Sequence, residues 1–359
     1  MTHDLLGLTE ELCRIPSVSG NEAALADVVE ARLRKSGAAL RIERIGHNVV
    51  ARTEFGCSRR VVLGGHIDTV PANGNQTPRR DGDVLHGLGT ADMKGGLAVM
   101  LALADDLANT PSRFDVTLVL YEGEEVADEH NGLRRLFAQS PELVQGDLAI
   151  LLEPTGGWVE AGCQGTIHVR AIFDGVRAHS ARPWMGTNAI HRAAPLLEFC
   201  ANFEAATVDV DSLAYREALQ VVRIEGGVAN NVVPDRCEVV VNRRYAPSRS
   251  LEEAVNEVVT FCTDAGAGHV EVVNASMAAP PNLMHPLIAE MIGVYDLPVR
   301  PKLGWTDVAR FAAHGIAACN FGPGDPELAH TADERVERTH LDACLALLEA
   351  FLGIRDARR

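Results

Sequence analysis

The order of apolar and polar residues in the first half of the chain predicts a sheet covered by helices. Three short apolar runs, Val61–Leu63, Val116–Leu120 and Leu148–Leu152, are rich in branched side chains and typical of strands buried on both faces. Gly96–Leu107, which lies between the first two runs, has the apolar spacing of a helix. Strands and helices that alternate in this way indicate an α/β layer with helices on both sides of the sheet.

Two short segments predict where helices begin. Segments 19–22 and 250–253 each place a serine three residues before a glutamate, which is the spacing of a capping box. The first precedes an amphipathic stretch that ends in basic residues and Gly37, and the second precedes a helical pattern that extends to about Asp264.

From about Thr166 the pattern changes. A helix-like stretch at 188–203 is followed by strands, around 219–224 and 237–241, in which apolar and polar residues alternate. Such strands have one solvated face, which indicates a separate α+β layer. After the break at Pro280-Pro281, helix and strand signals resume at 306–314, 316–321 and 339–352.

These patterns predict an α/β fold, a mixed sheet flanked by helices, that is interrupted by an inserted α+β domain. A chain of 359 residues is long enough for two domains that each bury a core. We assign residues 1–164 and 279–359 to the main α/β domain and residues 165–278 to the inserted domain.

The charge balance narrows the classes of partner. Lys and Arg number 33 and Asp and Glu number 49, so the net charge is −16. Nucleic acids and anionic membranes require a basic face, so the acid excess argues against both. A small anionic substrate requires only a local cationic pocket and is compatible with this composition.

The sequence also predicts a compartment. Its first twenty residues lack the basic and apolar regions of a signal peptide, and no apolar run is long enough to span a bilayer. The eight cysteines are scattered without a C-x-x-C pair, which is typical of reduced thiols in a chain of this length. We therefore expect a cytoplasmic protein.

Histidine and acidic residues recur where the predicted strands end. His66 and Asp68 follow the first run, Glu124 and Glu125 follow the second, and Glu153 follows the third. In α/β sheets, ligands bind at the carboxyl ends of the strands, so these side chains stand where a site is expected. Two further candidates are Asp92, in the glycine-rich segment 87–96, and His330, which follows the loop 322–326.

Imidazole and carboxylate groups without thiolate form a ligand set suited to Zn²⁺, with Co²⁺ or Mn²⁺ as competitors. Two ions about 3.5–4 Å apart usually share a carboxylate, and five groups would give each ion two ligands of its own and one shared ligand. The five groups are His66, Asp92, Glu125, Glu153 and His330.

Two neighbouring residues have predicted supporting roles. Asp68 lies two residues after His66 and would accept the second imidazole N–H, while Glu124 would act as a base toward water. Taken singly, each of these residues also fits an ordinary explanation, such as a solvated acidic loop. His47, His86 and His314 have no such context and are left unassigned.

Several blocks of this sequence resemble the signature blocks of the M20 metallopeptidase family. The blocks are Gly65–Pro71, Gly87–Gly96, Glu124-Glu125, Glu153–Thr155, Arg177–Ser180, Asn230–Pro234 and the late His330, so the resemblance spans nearly the whole chain. It implies a di-zinc exopeptidase-like fold and an amide hydrolase.

The resemblance also implies a role for each residue. His66 and Glu153 would hold one zinc, Glu125 and His330 the other, and Asp92 would bridge them, with Co²⁺ or Mn²⁺ able to substitute. Glu124 would be the general base and acid, Asp68 would support His66, and the Asp92–Met93 peptide bond would be cis.

The inserted domain is implied to be the dimerisation or lid domain of a homodimer. Its His179 resembles the family histidine that reaches the active site of the partner subunit, where it stabilises the oxyanion.

Four stretches, 121–128, 153–158, 160–165 and 304–311, resemble the actinobacterial branch of the family that hydrolyses N-succinyl-LL-2,6-diaminopimelate. That substrate carries three carboxylates, which require cations or N–H donors. The candidates for this role are Arg182, Asn231, Arg244, Thr306 and Arg310. One departure stands out, because the better-known desuccinylases have an arginine where this chain has Cys163-Gln164-Gly165.

Two alternatives remain open at the level of sequence. One is a related amidohydrolase, such as an acetylornithine deacetylase or a dipeptidase. The other is a metal-free binding protein on a degenerate hydrolase fold, which the presence of all five ligand residues disfavours.

Overall fold

A computed structural model of the chain describes residues 3–37 and 40–355. These residues form two compact units. The first is drawn from Met1–Ala161, Asn282–Arg300 and Arg310–Arg359, and the second from Gly162–Pro281 and Pro301–Ala309. The sequence-based division differs by three residues at each end of the inserted domain, 162–164 and 279–281. It also places 301–309 in the main domain, because these residues follow the break at Pro280-Pro281.

The described residues contain ten α-helices. They are α1 (Leu5–Cys13), α2 (Ala23–Ser36), α3 (Lys94–Leu107), α4 (Gly132–Gln139), α5 (Ala189–Arg192), α6 (Ala194–Ala201), α7 (Leu251–Asp264), α8 (Pro286–Tyr295), α9 (Val308–Ala313) and α10 (Arg338–Leu352). Short 3₁₀ turns lie at Asp128–His130, Pro141–Leu143, Pro183–Met185 and Pro326–Leu328.

The strands before residue 162 are β1 (Leu40–Ile45), β2 (Asn48–Thr53), β3 (Arg60–His66), β4 (Arg79–Asp81), β5 (Val84–His86), β6 (Asp115–Tyr121), β7 (Leu148–Leu151) and β8 (Val159–Ala161). They are followed by β9 (Gly165–Asp174), β10 (Ala178–His179), β11 (Thr207–Val210), β12 (Leu213–Arg216), β13 (Ala218–Gly226), β14 (Val232–Val233), β15 (Arg236–Tyr245), β16 (His269–Ser276), β17 (Val299–Pro301), β18 (Ala318–Asn320) and β19 (Arg335–Glu337).

The first unit is built on an eight-stranded sheet with the order β1-β2-β6-β3-β7-β18-β8-β17. β6, β3, β7 and β18 run parallel, whereas β1, β2 and β8 pair antiparallel with their neighbours. The sheet is therefore mixed, as the sequence predicted. The three apolar runs form β3, β6 and β7, and almost all their residues are buried because both faces of the sheet are covered.

Helix α3 brings a glycine-rich loop against the ends of these strands. It begins at Lys94, two residues before the predicted start, and thirteen of its residues are buried. A Cβ on Gly96 would lie 2.4 Å from the carbonyl oxygen of Leu152, so only glycine permits this close approach to the end of β7. Lys94 joins the start of α3 to the end of α1 and the residues after it, because its Nζ donates to the carbonyl oxygens of Leu12 and Ile15, at 3.3 and 2.8 Å.

The second unit contains an antiparallel sheet of order β13-β15-β9-β16. Its apolar residues pack with those of α5, α6 and α7 into a separate core, which includes Val169, Val241 and Val258. The helix predicted at 188–203 is two helices, α5 and α6. Pro195 lies in the first turn of α6, and because proline has no N–H to donate, it marks the start of a new helix.

The two predicted capping boxes have different outcomes. The Ser250 hydroxyl accepts a hydrogen bond from the Glu253 N–H at 3.2 Å, and α7 begins at the next residue, so this prediction is confirmed. The prediction for Ser19 is wrong. Helix α2 begins after Glu22, and the Ser19 hydroxyl instead donates to the Asp68 carboxylate at 2.7 Å.

All eight cysteines are free thiols, and seven of them are buried, which confirms the prediction of reduced cysteines. Among the helices of residues 3–37 and 40–355, none combines the length and apolar character required to cross a membrane.

Candidate metal centre

The parallel strands β3, β6 and β7 bring the predicted residues to one edge of the sheet. His66 is the last residue of β3 and stands beside Tyr121, the last residue of β6, in the strand register. Glu124 and Glu125 follow β6 within four residues, and Glu153 follows β7 within two. The polar side chains therefore converge because parallel strands end at the same edge.

One cluster of possible ligand atoms is formed by His66, Asp92 and Glu153, whose atoms lie within 4.8 Å of one another. His66 Nε2 lies 3.0 Å from Asp92 Oδ1 and 4.0 Å from Glu153 Oε2. The imidazole of His66 is almost fully buried, so this cluster is largely shielded from solvent.

A second cluster shares Asp92 with the first. It is formed by Asp92, Glu125 and His330, again with ligand atoms within 4.8 Å of one another. His330 Nε2 lies 2.8 Å from Glu125 Oε1 and 3.3 Å from Asp92 Oδ2. The two oxygens of Asp92 therefore face different histidines, and the structure brings all five predicted ligand residues together.

The charges around the two imidazoles favour a cation at each. Hydrogen bonds with Asp92 and Glu125 raise the pKa of His330 to about 10. Burial disfavours a charged His66, but hydrogen bonds with Asp68 and Asp92 raise its pKa well above the ordinary value. Nitrogen and oxygen donors among negative charges, with His66 buried and His330 half exposed, fit a pair of divalent ions such as Zn²⁺.

Asp68 organises the loop that carries Glu124 and Glu125. Its carboxylate accepts hydrogen bonds from the main-chain N–H groups of Glu124 and Glu125, at 3.0 and 3.1 Å, and from the Ser19 hydroxyl. Burial opposes its charge, yet the hydrogen bonds with His66 and Ser19 lower the pKa of Asp68 to about 2. Asp68 is therefore an anion that fixes the direction of this loop.

Asp68 also contacts His66, although not mainly through its side chain. His66 Nδ1 lies 3.0 Å from the main-chain oxygen of Asp68 and 3.5 Å from its carboxylate. Either contact holds the ring so that Nε2 points toward Asp92 and Glu153. Glu124 itself belongs to a group with His66 and Glu125, with ligand atoms within 4.8 Å.

The Asp92–Met93 peptide bond is cis, as the resemblance implies. The loop before it is held by Glu334, a buried residue that the sequence analysis missed. Its carboxylate accepts N–H groups of residues about 245 positions earlier, and no spacing rule signals a contact over that distance. Ser19 was noticed only as a helix cap, because its partner Asp68 is 49 positions away.

Three predicted residues lie beside one another in the second unit. Strand β10, which ends at His179, pairs with β14, and the main-chain oxygen of Asn231 accepts the N–H of Ser180 at 2.9 Å. The main-chain N–H of Arg182 donates to the oxygen of His179 at 2.8 Å. His179, Arg182 and Asn231 are exposed, so their side chains are available to a ligand.

The remaining predicted substrate residues differ in their surroundings. Arg310 forms an ion pair with Asp128, with Nη2 2.7 Å from Oδ1. Its guanidinium therefore already has an acidic partner within the protein. Arg244 is half-buried, donates to Asn242 at 3.2 Å and forms no ion pair within the described residues. Burial lowers the pKa of Arg244. Thr306 is buried next to the start of α9, where its oxygen accepts the Ala309 N–H.

A further group of possible ligands, His3, Asp106 and Glu349, lies elsewhere in the first unit. Arg355 Nη1 is 3.0 Å from Glu349, so an arginine already supplies a positive charge there. This group therefore does not share the unbalanced negative charge of the Asp92 clusters.

Comparison with known proteins identifies close relatives. A protein of Corynebacterium glutamicum named succinyl-diaminopimelate desuccinylase is 45% identical, and the match covers 98% of this chain and 97% of that protein. A protein of Mycobacterium tuberculosis that carries the same enzyme name provisionally is 47% identical over 98% of both chains.

Solved structures of lower identity share the fold. A tripeptidase from Staphylococcus aureus has a TM-score of 0.80 at 22% identity, over 99% of this chain and 98% of that one. A Bacillus subtilis protein described as a dinuclear metal-binding peptidase of the M20 family has a TM-score of 0.67 at 15% identity, over 98% and 96%. The model of peptidase family M20/M25/M40 matches residues 62–353, most of the chain. This chain therefore belongs to peptidase family M20/M25/M40.

Proposed function

We propose that this protein is a metal-dependent amide hydrolase that removes succinate from N-succinyl-LL-2,6-diaminopimelate, a step of diaminopimelate and lysine biosynthesis. The observation that carries the proposal is the position of Asp92, whose two oxygens face His66 and His330. The substrate is inferred from the relatives that are 45–47% identical over nearly their whole length.

The proposed cofactor is a pair of Zn²⁺ ions in each subunit, for which Co²⁺ or Mn²⁺ can substitute. His66 and Glu153 would hold one ion, Glu125 and His330 the other, and Asp92 both. When bound, such a pair lowers the pKa of water toward neutrality and polarises the amide carbonyl. The extended match to the family and the geometry of both clusters support this assignment.

Glu124 is the proposed general base. It accepts a proton from the attacking water and delivers it to the leaving amine. Asp68 is the proposed positioning residue, because it binds the main-chain N–H groups of both Glu124 and Glu125 and thereby fixes where the base points.

The second unit has two proposed roles. It would form the interface of a homodimer, and its His179 would donate a hydrogen bond to the oxyanion in the active site of the partner subunit. Exposure of the His179 ring supports a role outside its own core. The free thiols support a cytoplasmic location, where cysteines stay reduced.

Arg244 is the strongest of the proposed ligands for a substrate carboxylate. A half-buried guanidinium with no acidic partner among the described residues is suited to an anionic ligand, whereas Arg310 already binds Asp128. Asn231, Arg182 and Thr306 would supply further donors. Arg244 would thus carry part of the charge that is missing at Cys163-Gln164-Gly165.

The substrate assignment predicts a clear preference. The purified zinc-loaded protein should hydrolyse N-succinyl-LL-2,6-diaminopimelate with kcat/KM at least about 100-fold above that for N-acetylornithine or a dipeptide, because sites that bind charged groups discriminate strongly. Release of free amine measures all three reactions. Equal or better turnover of N-acetylornithine or the dipeptide would show that the substrate is wrong while the amide hydrolase stands.

The role of Glu124 predicts a separation between metal binding and turnover. Glu124→Gln should lower kcat by about 10²–10⁴-fold, since the amide cannot accept a proton, and should leave the metal content unchanged. Glu129→Gln, an exposed neighbour in the same segment, is the matched control and should behave like the native protein. Elemental analysis and initial rates measure both quantities; a Glu124→Gln protein with native kcat would exclude Glu124 as the base.

The role of Arg244 predicts a change in substrate binding. Arg244→Met keeps the apolar stem and should raise KM about 10–100-fold, the loss expected for a hydrogen bond to a charged group, with melting temperature and metal content unchanged. Arg170→Met on the neighbouring strand β9 is the control, because Arg170 already pairs with Glu271 at 2.8 Å. A native KM in Arg244→Met would contradict the assignment.

A further inference from the structure

The loop that carries Asp92 turns its main-chain N–H groups toward one side chain. The N–H groups of Ala91 and Asp92 donate to Glu334 Oε1, at 3.0 and 3.1 Å, and that of Gly89 donates to Oε2 at 3.1 Å. The N–H of Gly87 donates to the main-chain oxygen of Glu334 at 2.9 Å. Four N–H groups of a six-residue loop thus end on a single residue.

This arrangement requires a buried acceptor with two oxygens. Glu334 is 1% exposed, so water cannot replace it as the partner of these N–H groups. Gly89 has φ +78, a left-handed conformation that turns its N–H inward and that glycine adopts without strain. Concave groups of main-chain N–H donors normally bind an external anion, and here the chain supplies its own carboxylate.

The same residue ties this loop to the segment that carries His330. Glu334 lies four residues after His330, and its N–H donates to the oxygen of Thr331 at 3.4 Å. Asn75 adds a second link, because its side chain donates to the same oxygen of Thr331 at 3.0 Å while its own main-chain oxygen accepts the N–H of Leu88 at 2.9 Å. The segments that carry Asp92 and His330 are therefore held as one piece.

The consequence differs for the two clusters. In the cluster of Asp92, Glu125 and His330, two of the three groups belong to the tied segments, and they lie 3.3 Å apart. In the cluster of His66, Asp92 and Glu153, His66 ends strand β3 and Glu153 follows strand β7, and the sheet positions both strands independently of this loop. Loss of the tie should therefore loosen the first of these clusters more than the second.

We propose that Glu334 is a positioning residue that sets the distance between Asp92 and His330, and that it thereby controls the affinity for the ion held by Glu125 and His330. Glu334 touches neither substrate nor ion and acts through the main chain of the loop. The proposal rests on the proposed two-ion function.

The test measures ion affinity in Glu334→Gln, a variant of equal size in which an NH₂ group replaces one of the two acceptor oxygens and faces the N–H donors. Metal-free protein is titrated with Co²⁺, and visible absorption and calorimetry follow the binding of each ion. We expect the dissociation constant of the ion held by Glu125 and His330 to rise about 10–100-fold, as for other residues that orient metal ligands, and that of the other ion to stay native.

Two further variants keep the test informative. Glu337→Gln, an exposed glutamate three residues later, is the matched control and should bind both ions with native affinity. Asn75→Ala removes the side-chain link to Thr331 and the hydrogen bond that Asn75 Oδ1 accepts from the Asn73 N–H. It should lower the affinity for the same ion by a smaller factor, which provides a test even if Glu334→Gln fails to fold.

The outcomes separate the two proposals. If the native protein binds no pair of ions, the proposed function fails. If it binds two, and the folded variants bind both with native affinity while only the melting temperature falls, Glu334 is a structural residue and this inference is overturned. An equal loss of affinity for both ions would also overturn it, because Glu334 would then not act on one of the two clusters in particular.

Discussion

The structure of the site depends on the placement of negative charge between two imidazoles. The carboxylate of Asp92 lies 3.0 Å from His66 and 3.3 Å from His330, and Glu125 and Glu153 add to the same field. Without a positive charge, carboxylates this close would repel one another, so the arrangement is stable only if cations balance it. The same carboxylates raise the pKa of both histidines. Their excess of negative charge is the reason for proposing a metal pair.

The rest of the first unit serves to hold that charge in place. The parallel strands β3, β6 and β7 set the positions of His66, Glu125 and Glu153, because their carboxyl ends coincide. The main chain is then fixed by two buried carboxylates that are not themselves proposed ligands. Asp68 binds the N–H groups of the loop after β6, and Glu334 binds those of the loop before α3. Each acts on a ligand through the backbone.

The sequence predicts those features that depend on local pattern or on a general rule of sheet topology. Buried apolar runs identify β3, β6 and β7, and the rule that sites lie at carboxyl ends selects His66, Glu125 and Glu153. The Ser250 cap is likewise a local feature, and its prediction is confirmed. The resemblance to the M20 family supplied the pairing of the ligands and the cis bond at Asp92.

Features that depend on contacts between distant segments escaped prediction. Ser19 has the spacing of a helix cap, but the buried Asp68 carboxylate requires its hydroxyl, and the tertiary contact overrides the local preference. Glu334 has no local signal at all, since its partners are the N–H groups of a loop on the far side of the sequence. The pairing of Arg310 with Asp128 is a contact of the same kind. Sequence spacing cannot show which of many acids and bases meet in space.

The most direct test of the central claim is anomalous scattering at the zinc edge from crystals of the zinc-loaded protein. The account predicts two peaks, one within about 2.0–2.2 Å of ligand atoms of His66 and Glu153, the other at the same distance from Glu125 and His330, with Asp92 contacting both. A single peak at saturating zinc, or peaks coordinated by other residues, would contradict it.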